Sequence, residues 1–412
     1  MNRWYFSAAL ELVIILGRHG IRSPLNPPAQ MAEHSAQPWA KWPVAPGILT
    51  EKGGRQMTKM GIYLRRHYIQ AGLLSGQPDR DATVVQFRSD SDQRTIASAE
   101  KLAEGLLPGA PVQIEHRPID VADPLFVPVR MDLGHPDRAL AKAAILGRIG
   151  NSPQAVFEAH RRQYALLQHV LFGDQPVPAG KQAPLAEVPG LGQGTNTNLV
   201  ALTGPLREGM VLTDALLLEY EEGFPLDQVG WGRVTRSDLT ELLALNALNF
   251  DLVQKTFYCA QAQGSNLAQH LRETLDQAAT GQSVAGAIGP VKQKLLVVLG
   301  HDTNQINLAG LLGISWTFPG AQQDPVLPGG SLVLELRRED DGVQRVRIYY
   351  VSQTLDELRN GDPVDAAHPP AVVPIFIPGC SAGTPGYDAP LSAFDARIEA
   401  AVDPRFVVPG SS

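Results

Sequence analysis

Val13-Ile14-Ile15-Leu16-Gly17-Arg18-His19-Gly20-Ile21-Arg22-Ser23-Pro24 opens with four aliphatic residues in a row and closes on a proline. The unbroken apolar run predicts a strand buried on both faces, as in the parallel part of an α/β sheet. The run stops at Gly17, and two arginines then flank a histidine within five positions. Gly20 frees the backbone to turn, and Pro24 fixes the chain beyond it. Two permanent cations disfavour a third charge on the His19 imidazole, so they lower its pKa and keep it neutral. A neutral imidazole is a nucleophile, and guanidinium planes match pairs of phosphate oxygens. By itself the Arg-His-Gly element also fits a phosphate-binding loop without chemistry, or a surface turn.

The chain has 412 residues, a length that favours two domains or one domain with a large insertion. Hydrophobic content of 44% and charged content of 19% are those of an ordinary globular protein. A net charge of −7 argues against general nucleic-acid binding, which needs a basic footprint. It leaves room for a small anionic substrate, because a local arginine cluster reverses the field inside one pocket. No apolar run approaches the ~20 residues of a membrane helix. The two cysteines, Cys259 and Cys380, allow one disulfide at most and fit no metal-ligand spacing. Met1 to Leu10 begins like an export signal, but Glu11 interrupts it and the next apolar residues are needed for the strand, so no export signal is expected there.

Farther along, residues 26–48 read as an irregular loop at a pocket mouth. A helix is expected from Leu49 with Thr50 as its N-cap, its apolar face being Met57, Met60, Leu64 and Tyr68. Thr83 to Phe87 reads as a strand that leads through a polar turn into a helix from about Asp92, with Arg94 in its first turn. An arginine there opposes the helix dipole unless an anion sits beside it. Residues 123–256 read as helices and loops without strand alternation: Ala139 to Ile149, Pro153 to Phe172, Met210 to Tyr220 and Ser237 to Val253. Lys294 to Gly300 repeats the opening design, a buried strand ending in His301-Asp302. A helix is expected near Leu308 to Leu312, strands at Ser331 to Leu336 and Val346 to Val351, and a loop-heavy stretch after Thr354. The expected domains are an α/β core of residues 1–122 plus 257–412 and a helical insertion of residues 123–256.

Phosphomonoester hydrolysis needs a nucleophile, positive charge around the phosphoryl group and an acid for the leaving alkoxide. His19 can supply the first, and Arg18, Arg22, Arg94 and a protonated His301 the second. Asp302 can supply the third if an arriving phosphate raises its pKa. In open α/β sheets ligands gather at the carboxyl ends of strands, so these groups can share one crevice.

Arg18-His19-Gly20-Ile21-Arg22-Ser23-Pro24 with His301-Asp302 resembles the histidine acid phosphatases, the phytase and glucose-1-phosphatase branch of the histidine phosphatase superfamily. The resemblance extends over Trp39 to Trp42, Gln93-Arg94-Thr95, Asp123 to Phe126, Gly230-Trp231-Gly232, Gly300 to Asn304 and Pro328-Gly329-Gly330. It implies a three-layer α/β sandwich with a helical insertion, and a phosphohistidine on His19. It further implies phosphate ligands Arg18, Arg22, Arg94 and His301, Asp302 as proton donor, no metal or cofactor, and a periplasmic or secreted location. Gly20 and Thr303 look like the phytases, whereas Leu25 and the segment Glu219 to Val229 look like the glucose-1-phosphatases, with Leu25 and Glu219 as candidate gate residues. The expected partner is a small phosphomonoester, phytate or a sugar phosphate, with no nucleic acid and no membrane. Competing readings are a phosphomutase or phosphotransferase on the same histidine, a metallohydrolase with His19, His301 and Asp302 as ligands, and a non-catalytic phosphate-binding protein. Three nearby arginines weigh against a divalent cation.

Overall fold

The structure is a computed structural model that describes residues 9–195, 197–383 and 385–408. Of the Met1 to Leu10 segment only Ala9 and Leu10 fall among the described residues, as the start of the first strand.

Strands and helices alternate around one mixed sheet. The strands are β1 (Ala9–Arg18), β2 (Val85–Ser89), β3 (Ile114–Glu115), β4 (Gly190–Gln193), β5 (Val200–Thr203), β6 (Leu295–Gly300), β7 (Ser331–Arg338), β8 (Gln344–Ser352), β9 (Ala371–Ile375) and β10 (Ala389–Pro390). The main sheet runs β10-β8-β7-β1-β6-β2-β3, with β9 also paired to β8. β1, β6, β2 and β3 are mutually parallel, while β7, β8, β9 and β10 add antiparallel partners.

β1 lies between β6 and β7, which explains its composition: Leu12 to Leu16 are all fully buried. Burial of each such aliphatic side chain contributes about 1.5–3 kcal/mol. The period of two sends Val13 and Ile15 to one face and Leu12, Ile14 and Leu16 to the other. The first face is covered by α1 (Glu51–Gln70) and α2 (Gln93–Leu106), through Met57, Met60, Leu64 and Tyr68 of α1 and Ala99, Leu102 and Leu106 of α2. On the second face lie α4 (Phe257–Thr280) and α5 (Asp302–Leu312), together with α3 (Pro205–Glu222) from the segment between them and the first layer. The result is the expected helix–sheet–helix sandwich. Among the described residues no helix is long and apolar enough to cross a membrane.

Thr50 caps α1 as expected, accepting from the Gly53 amide. Other expectations need correction. Residues 26–48 include a short helix, Pro28–Met31, and a 3-10 turn, Ala32–His34. Pro153 to Phe172 is two helices, broken at His160, whose ring donates to the Val156 carbonyl at 2.9 Å while its backbone leaves the helical region. Residues 123–256 carry one antiparallel pair, β4 with β5. The loop-heavy region after Thr354 also carries regular elements the sequence did not show: a capping box of Thr354 and Glu357 starts the helix Leu355–Asn360, and β9, β10 and the helix Leu391–Ala401 follow. Gly20 serves proximity rather than a left-handed turn, because a Cβ there would stand 2.9 Å from the Gly53 carbonyl oxygen. The N-terminal turn of α1 is thus packed directly on the loop after β1.

Candidate active site

Because β6 lies between β1 and β2 and all three run parallel, their carboxyl ends meet. His19 follows β1, Asp90 follows β2, and His301 with Asp302 follows β6. The backbone ties these ends together: His19 N–H donates to Gly300 at 3.1 Å and Asp90 N–H to Leu299 at 2.9 Å. One residue separates α5 from β6 and three separate α2 from β2, bringing two positive helix ends to the same edge. Ser98 of α2 accepts from the Gly20 amide at 3.0 Å, which fixes the loop that carries His19.

His19 is buried, and its Nδ1 lies 2.8 Å from the Gly20 carbonyl oxygen. A carbonyl can only accept, so Nδ1 carries the proton and Nε2 keeps its lone pair. Burial, followed by the charges of Arg94, Arg18 and Arg22, holds the pKa of His19 well below the usual imidazole value. This is the state of a nucleophile.

Each cation around it is matched by a carboxylate. Arg18 lies 3.1 Å from Asp302 and also donates to the Val326 carbonyl. Burial works against its charge, but Asp302, Asp214 and Glu221 outweigh that and raise its pKa. Arg22 donates to Asp214 at 3.2 Å and to the Ser23 carbonyl at 3.0 Å. Arg94 pairs with Asp92 at 2.6 Å. The buried Nε–H groups of all three guanidiniums have no partner among the described residues. His301 donates from Nε2 to Asp90 at 2.7 Å, and its Nδ1 faces Arg94 at 3.5 Å. Its ring stands edge-on to that of His19, 5.7 Å between centres. Burial pushes the Asp302 carboxyl up, but Arg18, His301 and Arg22 draw it below the ordinary carboxylate range.

The cleft over these groups has two lobes that share Arg22, Leu25, Asp302 and Thr303. Leu25, 56% exposed, stands on the rim between them. The first lobe contains His19, Arg94, His301, Arg130 and Phe126. The second is walled by Asn198, Met210, Asp214, Asn246, Asn249 and Gln254. Glu219 belongs to neither. It is buried on another side of α3, accepts from the Gly230 amide at 3.2 Å, and is pushed up to about 8 by burial, so the gate reading of Glu219 is withdrawn. The α3 carboxylate that pairs with the arginines is Asp214, with Glu221 buried behind it and interacting with Arg18; the sequence does not single out Asp214 or Asp90.

Among the described residues one trio, Asp90, Asp92 and His301, has ligand-type atoms within 4.8 Å of one another. Arg94 already supplies this trio with a cation, and it differs from the His19, His301 and Asp302 set weighed from the sequence. Cys259 and Cys380 are both free thiols.

Comparison with known proteins supplies the rest. The family described as the histidine phosphatase superfamily (branch 2) matches residues 9–171. The chain is 34% identical to Phytase AppA of Escherichia coli (strain K12) over 382 residues, 90% of this chain and 87% of the relative. It is 29% identical to a glucose-1-phosphatase of Salmonella typhimurium, covering 94% of this chain and 91% of that one. Among solved structures, Hafnia alvei phytase in complex with tartrate superposes with a TM-score of 0.89 at 33% identity, covering 98% of this chain and 99% of that one.

Proposed function

The chain belongs to the histidine phosphatase superfamily as a histidine acid phosphatase, an enzyme that hydrolyses phosphomonoesters, and from that premise we propose that His19 is its nucleophile and Asp302 its proton donor. The Nε2 lone pair of His19 attacks phosphorus, and the bond from phosphorus to the ester oxygen breaks. The departing oxygen keeps the electron pair and takes the proton of Asp302. Water then attacks the phosphohistidine, its proton passes to the Asp302 carboxylate, and free phosphate leaves neutral His19 behind.

Arg18, Arg22, Arg94 and His301 hold the phosphoryl oxygens in this reading, and their hydrogen bonds tighten as charge gathers there. Asp302 starts below the ordinary carboxylate range because Arg18 and Arg22 offset the effect of burial. A phosphate dianion that takes over those guanidiniums cancels their field, and the carboxyl then takes up its proton. Turnover is therefore expected in acid, and the low pKa of His19 keeps the nucleophile neutral there.

The observation that carries this reading is the Nδ1 bond of His19 to Gly20, which leaves Nε2 free amid three guanidiniums. In the proposal residues 1–122 plus 257–412 supply the phosphate machinery, and residues 123–256 supply the second wall of the cleft. The substrates are small phosphomonoesters, phytate or sugar phosphates, and Leu25 is the gate. A periplasmic or secreted location belongs to the same proposal.

The test is phosphate release at acid pH in EDTA by the native protein and by His19→Ala. Loss of turnover in the variant is expected, and substantial surviving activity would overturn the assignment. Phosphate found on an acceptor rather than free would indicate a phosphotransferase.

A further inference from the structure

Past Leu25 the cleft changes character. The polar lining of the second lobe is mainly carboxamide, from Asn198, Asn246, Asn249 and Gln254, and it is backed by Met210 and Phe250. Gln254 is 1% exposed; its Nε2 donates to Asn198 Oδ1 at 2.6 Å, while its Oε1 is buried without a partner among the described residues. The helix Arg236–Asn249 ends in a π-helical turn, Phe250–Gln254. Such turns occur often at functional sites. This one brings Asn249, Phe250 and Gln254 to a single wall.

The charges facing this lobe are Arg22, Asp214 and Asp302. Arg22 is bound to Asp214 at 3.2 Å, and Asp302 lies 3.1 Å from Arg18. A second phosphate in this lobe would meet two carboxylates and one guanidinium that already has a partner. A hydroxyl-rich group meets the opposite situation. Each carboxamide offers both donors and acceptors, as a hydroxyl requires, and Met210 and Phe250 suit the C–H faces of a ring.

We propose that the lobe formed by Asn246, Asn249 and Gln254 is a leaving-group subsite for an uncharged, polyhydroxylated moiety, a sugar or polyol carrying the single phosphate held at His19. The proposal rests on the phosphatase reading above and narrows it.

The experiment measures kcat/KM at acid pH for glucose 1-phosphate, phytate and p-nitrophenyl phosphate. It uses the native protein, Asn246→Ala, Asn249→Ala and the double variant Asn246→Lys with Asn249→Lys. The native protein is expected to prefer glucose 1-phosphate to phytate. Each alanine variant should lower the ratio of glucose 1-phosphate to p-nitrophenyl phosphate about fivefold to tenfold, mostly through KM, the scale of a lost hydrogen bond that leaves a partner unsatisfied. The lysine pair should move preference toward phytate. As a measurement free of variants, glucose should inhibit p-nitrophenyl phosphate turnover competitively. Faster phytate turnover by the native protein, or an unchanged ratio in both alanine variants, would overturn the subsite while leaving the phosphatase intact. Silence on all three esters would overturn the phosphatase reading itself.

Discussion

The two lobes of the cleft follow opposite electrostatic plans. In the first, Arg18, Arg22 and Arg94 crowd a buried histidine, and each is balanced by a carboxylate at 2.6–3.2 Å. The second relies on neutral amides, with a buried acceptor still to be matched on Gln254. The first is assembled mainly at strand ends, where backbone hydrogen bonds fix each group. The second comes mainly from helices and loops of residues 123–256. Fixed charge can stabilise a transferring phosphoryl only where the surrounding frame cannot relax, so chemistry belongs at the sheet edge. Recognition of a leaving group tolerates a softer wall. Asp214 joins the two, since it belongs to α3 yet pairs with Arg22.

The largest effect that would break this division is at Asp302. Asp302→Asn should lower kcat for an alkyl or sugar phosphate by roughly 10²–10⁴, the range for a lost general acid. The loss should be smaller for p-nitrophenyl phosphate, whose leaving oxygen needs little help. Equal losses on both esters would deny Asp302 its proton-donor role.

Next comes the contrast between Arg94 and Asp214. Arg94→Ala should cost about 10²–10³ in kcat/KM, since it removes a donor to the developing charge. Asp214→Asn should cost about tenfold, because it only loosens Arg22. If Asp214→Asn matched Arg94→Ala, the joining residue would belong to the chemistry.

A third prediction concerns stability. Burial pushes Glu221 up to about 8, although Arg18 opposes it. The native state therefore keeps a proton that the unfolded chain has released, and stability should fall as pH rises from the ordinary carboxyl range to about 8. Tm should drop by several degrees between pH 5 and pH 8, and Glu221→Gln should reduce that slope, the remainder belonging to Glu219, which burial also pushes up to about 8. An unchanged slope in the variant would assign the proton elsewhere.

The smallest effect is at the shared rim. Leu25→Ala should change KM for sugar phosphates a few-fold and leave kcat nearly constant, because Leu25 is 56% exposed and touches no reacting atom. A large fall in kcat would move Leu25 from the rim into the chemistry.

The first lobe was largely legible in the chain. Val13 to Leu16 and Leu295 to Leu299 are aliphatic throughout, which marks strands covered on both faces, and each leads into a histidine. The second lobe was not legible. Asn246, Asn249 and Gln254 sit on helical turns and Asn198 in a loop, where asparagine and glutamine read as ordinary solvated positions, and the π-turn has no sequence period of its own. Glu219 shows the physical limit well. The acidic run from Glu219 to Glu222 draws attention, yet the α3 carboxylate that pairs with Arg22 is Asp214. Five residues along an α-helix turn it by about 140°, enough to send the two side chains to different surroundings. Only packing decides which face meets the arginines. The segment after Thr354 was missed for another reason: its capping box was present in the sequence, but the short helix behind it shows little apolar periodicity.

The most direct test of the central claim is to stop turnover with base and map the phosphoryl group by peptide mass spectrometry. Phosphate covalently bound to His19 during turnover, at higher occupancy in a variant slowed at Asp302, is the predicted result if breakdown of the intermediate needs that carboxylate. Turnover with no phosphoryl group on His19, or with the label on another residue, would contradict the account.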